Sequence, residues 1–195
     1  MKKLLTILCA VLISFQMFGQ VSANIGYLSS TYKFNEDGFN VSMNGSGIYA
    51  GVSTDIYSTN FNDFSFSPGF YADFVDYELF SGLNAIVYYV RVPLHVKYNY
   101  PMSNTADLFI SAGPSAVLGL GGKAKMSYGG VTYTENFFEE GDRRFDATFG
   151  FEAGVNLNKA VRVSCGYDLG LVNQVDDIDG SAKRNTFHLG IGYLF

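Results

Sequence analysis

The sequence predicts an all-β fold, an eight-stranded antiparallel up-and-down transmembrane β-barrel. Three observations support this prediction: bulky apolar residues alternate with small or polar residues along most of the chain, glycine and aromatic residues are abundant, and short and long connections follow each other in turn. Of the 195 residues, 22 are glycine and 16% are aromatic. This length suits one domain, and a composition so rich in glycine and aromatic residues disfavours a helical bundle.

The first 23 residues predict a secretory signal peptide. Two lysines near the start are followed by a short apolar stretch and then by small residues. The apolar stretch is too short to span a bilayer comfortably. We place the cleavage after Ala23, with Gly19 or Gln20 as less favoured positions. The predicted organisation is therefore a cleaved signal peptide at 1–23 and a barrel domain at 24–195.

Charge and cysteine content narrow the class of protein further. Loss of Lys2 and Lys3 with the signal peptide takes the formal net charge from −5 to −7. Such acidity argues against nucleic acid or anionic lipid headgroups as partners. Cys9 lies in the signal peptide and only Cys165 remains in the mature chain, so an internal disulfide is excluded. An exported protein without disulfides suits a bacterial envelope better than a small secreted scaffold.

The alternation of residue types defines the strands. Near the C-terminus, Phe187, Leu189 and Ile191 lie on one face of a strand, whereas small or polar residues such as His188 lie on the other. The same pattern recurs at 48–56, 64–74, 88–98, 107–116, 144–157 and 161–170. A weaker strand at 24–33, whose facing is ambiguous, brings the count to eight.

The connections alternate in length, as they do in up-and-down membrane barrels. Short links are predicted at 58–62, 101–105 and 158–159, and long polar links at 34–45, 75–85, 119–143 and 172–184. The asparagine of the third short link can accept the positive φ of a tight hairpin. Short turns on one side of a membrane and long loops on the other place both termini on the short-turn side.

The two faces of the strands differ in bulk, which indicates the face that meets lipid. Eight strands enclose a space only just wide enough for side chains, and the apolar face carries too many large residues for that space. The opposite face is rich in glycine, which would weaken the strands for no gain on a water-facing exterior. The apolar face is therefore predicted to face lipid. A soluble barrel that carries a ligand, the alternative, requires the opposite facing.

Charged residues of both signs share the predicted lumen face. They are Asp55, Asp73, Arg91, Lys97, Arg144, Asp146, Glu152, Arg162 and Asp168. We interpret them as a paired structural network that fills a narrow core, because unpaired charges would be costly there. The alternative interpretation is a path for ions or small solutes.

Two further groups of residues are candidates for chemistry. His188 could pair with Ser164 or Ser111 in a lipid-modifying enzyme, and His95 is the second histidine, but no spacing motif supports a catalytic site. Acidic residues in two predicted loops could bind calcium, although the regular spacing of a calcium-binding hand is absent. These acidic residues are Glu135, Glu139, Glu140, Asp142, Asp176, Asp177 and Asp179. The sequence therefore predicts no catalytic residues, no cofactor and no metal.

Several short motifs and the last residue carry a family resemblance. The motifs are Ser67-Pro68-Gly69-Phe70, Val92-Pro93-Leu94-His95-Val96-Lys97-Tyr98, Ser111-Ala112-Gly113-Pro114 and Leu189-Gly190-Ile191-Gly192-Tyr193. They resemble the outer-membrane β-barrel domain family of Bacteroidota, which includes "porin family" proteins and members similar to PorT. The terminal Phe195 resembles the end of the strand by which outer-membrane barrels are recognised for insertion. The resemblance covers nearly the whole mature chain and implies a location in the bacterial outer membrane.

On this basis we expect a monomeric barrel that is not an enzyme and acts as a structural or interaction protein. The expected partners are outer-membrane lipid and, through the surface loops, envelope or secretion proteins, whereas nucleic acid is not expected. Proteins similar to PorT are linked to type IX secretion, so the resemblance also implies a secretion accessory as a second function. A small-solute pore and a lipid-modifying outer-membrane enzyme are the third and fourth functions that the sequence leaves open.

Overall fold

Antiparallel strands make up most of the chain that the structure describes. The computed structural model describes residues 19–36, 39–58, 63–80, 83–128, 131–138, 144–174 and 181–195. The strands in these ranges are β1 (Gln20–Glu36), β2 (Phe39–Tyr57), β3 (Phe64–Phe80), β4 (Leu83–Pro101), β5 (Ala106–Tyr128), β6 (Val131–Asn136), β7 (Phe145–Leu157), β8 (Val161–Gly170) and β9 (Ser181–Leu194). No helix within the described ranges combines the length and the apolar character that a membrane crossing needs.

Eight of these strands close into an antiparallel barrel. Neighbours along the chain pair with each other, except that β7 pairs with β5 and not with β6. The first and last strands pair from Ser22↔Leu194 to Asn35↔Ser181. The short strand β6 pairs with the end of β5 and extends it as a hairpin. Closure pairs both edges of the sheet, so lipid does not meet unpaired backbone groups there. The predicted eight-stranded antiparallel up-and-down barrel is confirmed.

The hydrogen-bonded register sets the width of the lumen. From Ile25 on β1, the directly paired residues can be traced from strand to strand around the barrel in both directions. The path through β2, β3 and β4 reaches β5 at Leu118, and the path through β9, β8 and β7 reaches β5 at Leu108. The strands are therefore staggered by ten residues around the barrel. The strand number and the stagger together determine the radius of a barrel, and eight strands enclose a space that side chains just fill. The inward-facing residues are therefore expected to pack as a core.

The side chains that point outward are apolar along the middle of the strands. Phe151 and Ile191 are 50% and 54% exposed, whereas Thr148 and Asp168 on the inward face are each 1% exposed. On β1, whose facing the sequence leaves ambiguous, Leu28 points inward and is buried. The predicted facing is confirmed, and the facing that a soluble ligand carrier requires is contradicted.

Three of the four predicted long links are mostly strand. The pair β1 and β2 occupies most of 34–45, the pair β3 and β4 occupies most of 75–85, and β5 and β6 occupy much of 119–143. These predictions were wrong because the outward residues become polar where the strands leave the lipid, and such polar strand ends resemble loops in sequence. The last four residues of the fourth predicted link, 172–184, belong to a strand, because β9 begins at Ser181.

The turn between β7 and β8 fits its prediction, and it marks the end of the barrel where the termini lie. Asn158 and Lys159 have φ angles of 51° and 54°, the left-handed conformation that a tight hairpin needs and that asparagine tolerates. The amide of Leu194, at the end of β9, donates to the carbonyl of Ala160 in this turn, so the end of the last strand lies beside the turn. Both termini therefore lie on the short-turn side, as predicted. In the predicted short link at 58–62, residues 59–62 lie outside the described residues.

The first residues of β1 bear on the position where the signal peptide ends. Residues 1–18 lie outside the described residues, so the signal peptide remains a prediction. Gln20–Ala23 belong to β1, and Ser22 is buried with its hydroxyl oxygen 2.8 Å from that of Ser53. Cleavage after Ala23 would therefore remove strand residues and a buried hydrogen-bonding group.

We expect cleavage after Gly19, because this position leaves the whole of β1 in the mature chain. N-terminal sequencing of the protein from the outer-membrane fraction should then yield Gln20 as the first residue. A mature chain that begins at Asn24 would contradict this expectation and would return the cleavage to Ala23.

Candidate functional site

The lumen contains a buried carboxylate that is shared by two cations near the short-turn end. Asp55 Oδ1 lies 2.6 Å from Lys97 Nζ, and Asp55 Oδ2 lies 2.6 Å from Arg162 Nη2. The hydroxyl of Ser67 donates to the same carboxylate at 2.6 Å, and Arg162 Nε donates to Asn156 Oδ1 at 2.9 Å. The three charged side chains are at most 4% exposed. Burial of three charges is tolerated because each has a partner of opposite sign in hydrogen-bonding contact.

An aromatic ring contacts both of the cations that bind Asp55. Phe109 is buried on β5, and its ring centroid lies 4.7 Å from Lys97 Nζ and 5.0 Å from Arg162 Cζ. Gly154 stands opposite Phe109 in the register of β5 and β7. A Cβ at Gly154 would lie 2.6 Å from Phe109 Cζ, so only glycine leaves room for the ring. This contact explains why glycine is needed on the inward face.

A second layer of paired charges lies above the first and is built around Arg91. Its guanidinium binds Asp73 in a bidentate manner, with Nε–Oδ2 and Nη2–Oδ1 distances of 3.0 and 3.3 Å, and lies 3.7 Å from Asp168. The Arg91 guanidinium also lies over the rings of Tyr71 and Tyr49, at 4.9 and 5.7 Å from their centroids. One arginine thus joins carboxylates from β3 and β8 across the lumen.

A third charged layer, whose arginine the sequence did not reveal, lies farther from the short turns. Arg184 Nε lies 3.5 Å from Asp146 Oδ2, and the guanidinium lies 4.5 Å from the centroid of the Tyr89 ring. The hydroxyl of Tyr89 is 3.2 Å from that of Tyr32. Arg184 falls at the end of a segment predicted as a loop, so its inward facing could be recognised only once β9 was known to begin at Ser181.

A cluster of mainly apolar side chains, the plug, surrounds Arg184 and fills the lumen on the side away from the short turns. Tyr77 is fully buried in it, stacks on Phe137 at 6.4 Å between ring centroids and donates a 3.0 Å hydrogen bond to Ser30. The buried residues of the plug are Leu28, Tyr32, Tyr49, Val75, Tyr77, Ala85, Val87, Tyr89 and Val117. The plug was not predicted from the sequence because three of its nine buried residues, Val75, Tyr77 and Ala85, and the covering Phe137 fall in segments that were predicted as loops.

The structure places eight of the nine predicted lumen charges inside the barrel. Asp55, Asp73, Arg91, Lys97, Asp146, Arg162 and Asp168 are buried, and Glu152 lines an internal cavity. Arg144 is the exception and was wrongly predicted. It is exposed and precedes β7, with its guanidinium 5.6 Å from the Phe138 ring centroid. The alternation of β7 begins only at Phe145, so Arg144 has no strand position to direct it inward.

The two histidines and the candidate serines also face the lumen. His95, His188, Ser111 and Ser164 are each at most 8% exposed. Ser111 Oγ lies 3.5 Å from His95 Nδ1. The candidate catalytic pairing required a contact between Ser111 and His188, whereas Ser111 contacts His95. All four side chains are separated from the lipid by the barrel wall.

The space left among these side chains is small. A cavity of about 20 Å³ lies between the first and second charged layers and is lined by Arg91, His95, Lys97, Glu152 and His188, among others. Such a volume holds about one water molecule. Between these two charged layers the lumen is therefore packed, whereas a cavity of about 560 Å³ lined by Gln20, Tyr57 and Asp107, among others, lies at the short-turn end.

The candidate calcium ligands lie mostly outside this part of the chain. Glu135 is exposed on β6. Glu139, Glu140, Asp142, Asp176, Asp177 and Asp179 are not among the described residues. Within the described ranges, no cluster of His, Cys, Asp and Glu has the geometry of a metal site.

Comparison with known proteins identifies the family. The model of the family described as "Outer membrane protein beta-barrel domain" matches residues 5–195. The chain belongs to this family. Membership and the confirmed barrel place the protein in the bacterial outer membrane, as expected from the sequence. No curated protein matches the chain significantly in sequence.

Solved structures similar to this barrel are also outer-membrane proteins. Ail from Yersinia pestis is 20% identical over 91% of this chain and 99% of its own, with a TM-score of 0.45. OprG from Pseudomonas aeruginosa is 11% identical over 91% and 96%, with a TM-score of 0.48. PagL, an outer membrane enzyme, is 14% identical over 89% and 97%, with a TM-score of 0.52. At these identities the likeness concerns the fold alone.

Proposed function

We propose that this protein is a monomeric, non-catalytic outer-membrane barrel that presents its extracellular hairpins to other envelope proteins. The observation that carries the proposal is the filling of the lumen by paired charges and an apolar plug. A packed interior gives the barrel rigidity and leaves the outer rim as the surface available for recognition.

The hairpin of β5 and β6 is the part of the rim best suited to contact a partner. It extends beyond the barrel wall, and Tyr133 on β6 is 59% exposed. Lys123, Lys125 and Glu135 are exposed on the same hairpin. An exposed tyrosine among charges of both signs is typical of protein interaction surfaces, where aromatic residues anchor the contact.

Site-specific photo-crosslinking in cells tests this proposal. A photoreactive phenylalanine analogue at Tyr133 is expected to form adducts with protein, because this side chain projects from the rim. The same analogue at Phe151, which faces the lipid, is the matched control and is expected to form adducts with lipid. Equal protein adducts from both positions, or none from Tyr133, would contradict the interaction role.

A role as a secretion accessory is a narrower form of the same proposal. The motifs 67–70 and 92–98 support kinship with the Bacteroidota family and its PorT-like members. Co-purification of the tagged protein with secretion machinery would favour this role over a general structural one.

Two different functions can be tested against the proposal. Steady, discrete conductance steps from the purified protein in planar bilayers would favour a small-solute pore. A change in the lipid A or phospholipid pattern that depends on His188 would favour an enzyme, although this histidine is buried in the lumen. We expect neither result.

A further inference from the structure

Two lysines lie next to each other on the outer surface where β1 pairs with β9 and closes the barrel, a pairing that we call the seam. Lys33 on β1 is directly opposite Lys183 on β9 in the register, and both side chains are exposed. Their neighbours Tyr32 and Arg184 are buried in the lumen, so the alternation directs both lysines outward.

The lysine pair lies at the outer edge of the lipid-facing band. On β9 the outward residues from Phe187 to Phe195 are apolar, and they are followed towards the extracellular end by Asn185 and then Lys183. This end is opposite the short turns, so it faces the outer leaflet in the usual orientation of such barrels. Long lysine side chains at this height reach the level of lipid headgroups.

No charge compensation for this pair is found within the described part of the chain. Like charges directly opposite each other destabilise a pair of strands. No carboxylate among the described residues lies within 4 Å of either ammonium group. The next outward neighbours are Ser42 opposite Lys33, and Thr31 opposite Asn185; these residues are polar and uncharged. An external anion would convert the repulsion between the lysines into a binding site.

We propose that Lys33 and Lys183 together bind the phosphate group of an anionic lipid headgroup in the outer leaflet. The expectation from net charge, that anionic headgroups are unlikely partners, does not apply at this seam. The net charge is an average over the chain, and it does not describe the charge at one place on the outer surface. At the seam the two lysines give a local positive charge, because no carboxylate among the described residues lies within 4 Å of either ammonium group.

Native mass spectrometry of the full-length protein with bisphosphorylated lipid A tests the proposal. The K33Q/K183Q variant is expected to bind this lipid about 30-fold more weakly, on the basis of about one lysine–headgroup interaction lost per substitution. The K33R/K183R variant, which keeps both charges, should bind like the wild type. The change in SDS mobility on boiling shows whether each variant forms the barrel.

A control on another strand separates this site from general attraction to the membrane. K123Q/K125Q removes two exposed lysines from β5 and should leave the affinity unchanged. An equal loss in this variant would overturn the seam as a distinct site. Retention of lipid A by K33Q/K183Q, or equal binding of dephosphorylated lipid A, would overturn it as well. Displacement of the lipid by millimolar inorganic phosphate would show a site for free phosphate and would also contradict the proposal.

Discussion

The Asp55→Asn substitution is expected to lower the free energy of unfolding by about 3–5 kcal/mol, because it leaves Lys97 and Arg162 buried without their shared carboxylate. Both cations lie 2.6 Å from Asp55 and are at most 4% exposed, so water cannot replace the lost charge. Urea titration of the refolded barrel in lipid vesicles measures the change. An effect below about 1 kcal/mol would mean that water solvates the lumen charges.

Two variants distinguish the loss of the ion pair from a general effect of removing a carboxylate. Asp76 is exposed on the outer face of β3, so Asp76→Asn should change the stability by no more than about 0.5 kcal/mol. The double variant D55N/K97M removes one charge of each sign and should recover part of the loss. If D55N/K97M lost as much free energy of unfolding as D55N and K97M lose together when measured singly, Asp55 and Lys97 would not be coupled.

The Tyr77→Ala substitution is expected to destabilise the barrel by about 3–5 kcal/mol, because it opens a cavity in the centre of the apolar plug. Tyr77 is fully buried and contacts Tyr32 and Phe137, with centroid distances of 5.4 and 6.4 Å. The same urea titration measures this effect. The charged layers around Asp55 and Arg91 are unchanged, so we expect this variant to remain without conductance in planar bilayers.

The hydroxyl and the ring of Tyr77 can be tested separately. Tyr77→Phe removes only the hydrogen bond to Ser30, which keeps a contact with Thr186 at 3.2 Å, so the loss should be about 1 kcal/mol. Tyr133→Ala removes an exposed tyrosine and should have little effect. Equal effects of the alanine substitutions at 77 and 133 would contradict a packed plug.

The architecture could be predicted from the sequence because alternation with a period of two is a local property. Phe187, Leu189 and Ile191 show which face is apolar without any knowledge of the rest of the chain. The narrow lumen of an eight-stranded barrel then determines which face can be inside. Alternation and lumen width together were sufficient for the fold, the facing and the membrane location.

The contacts inside the lumen could not be predicted, because they depend on the stagger between strands. Asp55 meets Lys97 and Arg162, which are 42 and 107 residues away in sequence. Alternation indicates that these side chains point inward, but it carries no information about their height in the barrel. The same lack of height information hid Arg184 and the plug around Tyr77, since strands that continue beyond the lipid were interpreted as loops.

The net charge of the chain does not reveal local patches of charge on its surface. The charge was counted over the whole sequence, whereas the barrel wall separates enclosed charges such as Asp73 and Arg91 from exposed ones such as Lys33 and Lys183. In a closed barrel, only the outward set acts on partners at short range. A prediction of surface charge therefore requires the facing of each strand first.

The pairing of β1 with β9 has a consequence for biogenesis. β1 cannot pair at its free edge until β9 is present. A chain without β9 therefore forms an open sheet whose two edges carry unpaired amide and carbonyl groups. Hydrocarbon cannot hydrate those edges, and each orphaned group costs several kcal/mol. Stepwise entry of single hairpins into the bilayer is accordingly unfavourable, and we expect the fourteen residues of β9 to close the barrel in one concerted insertion step.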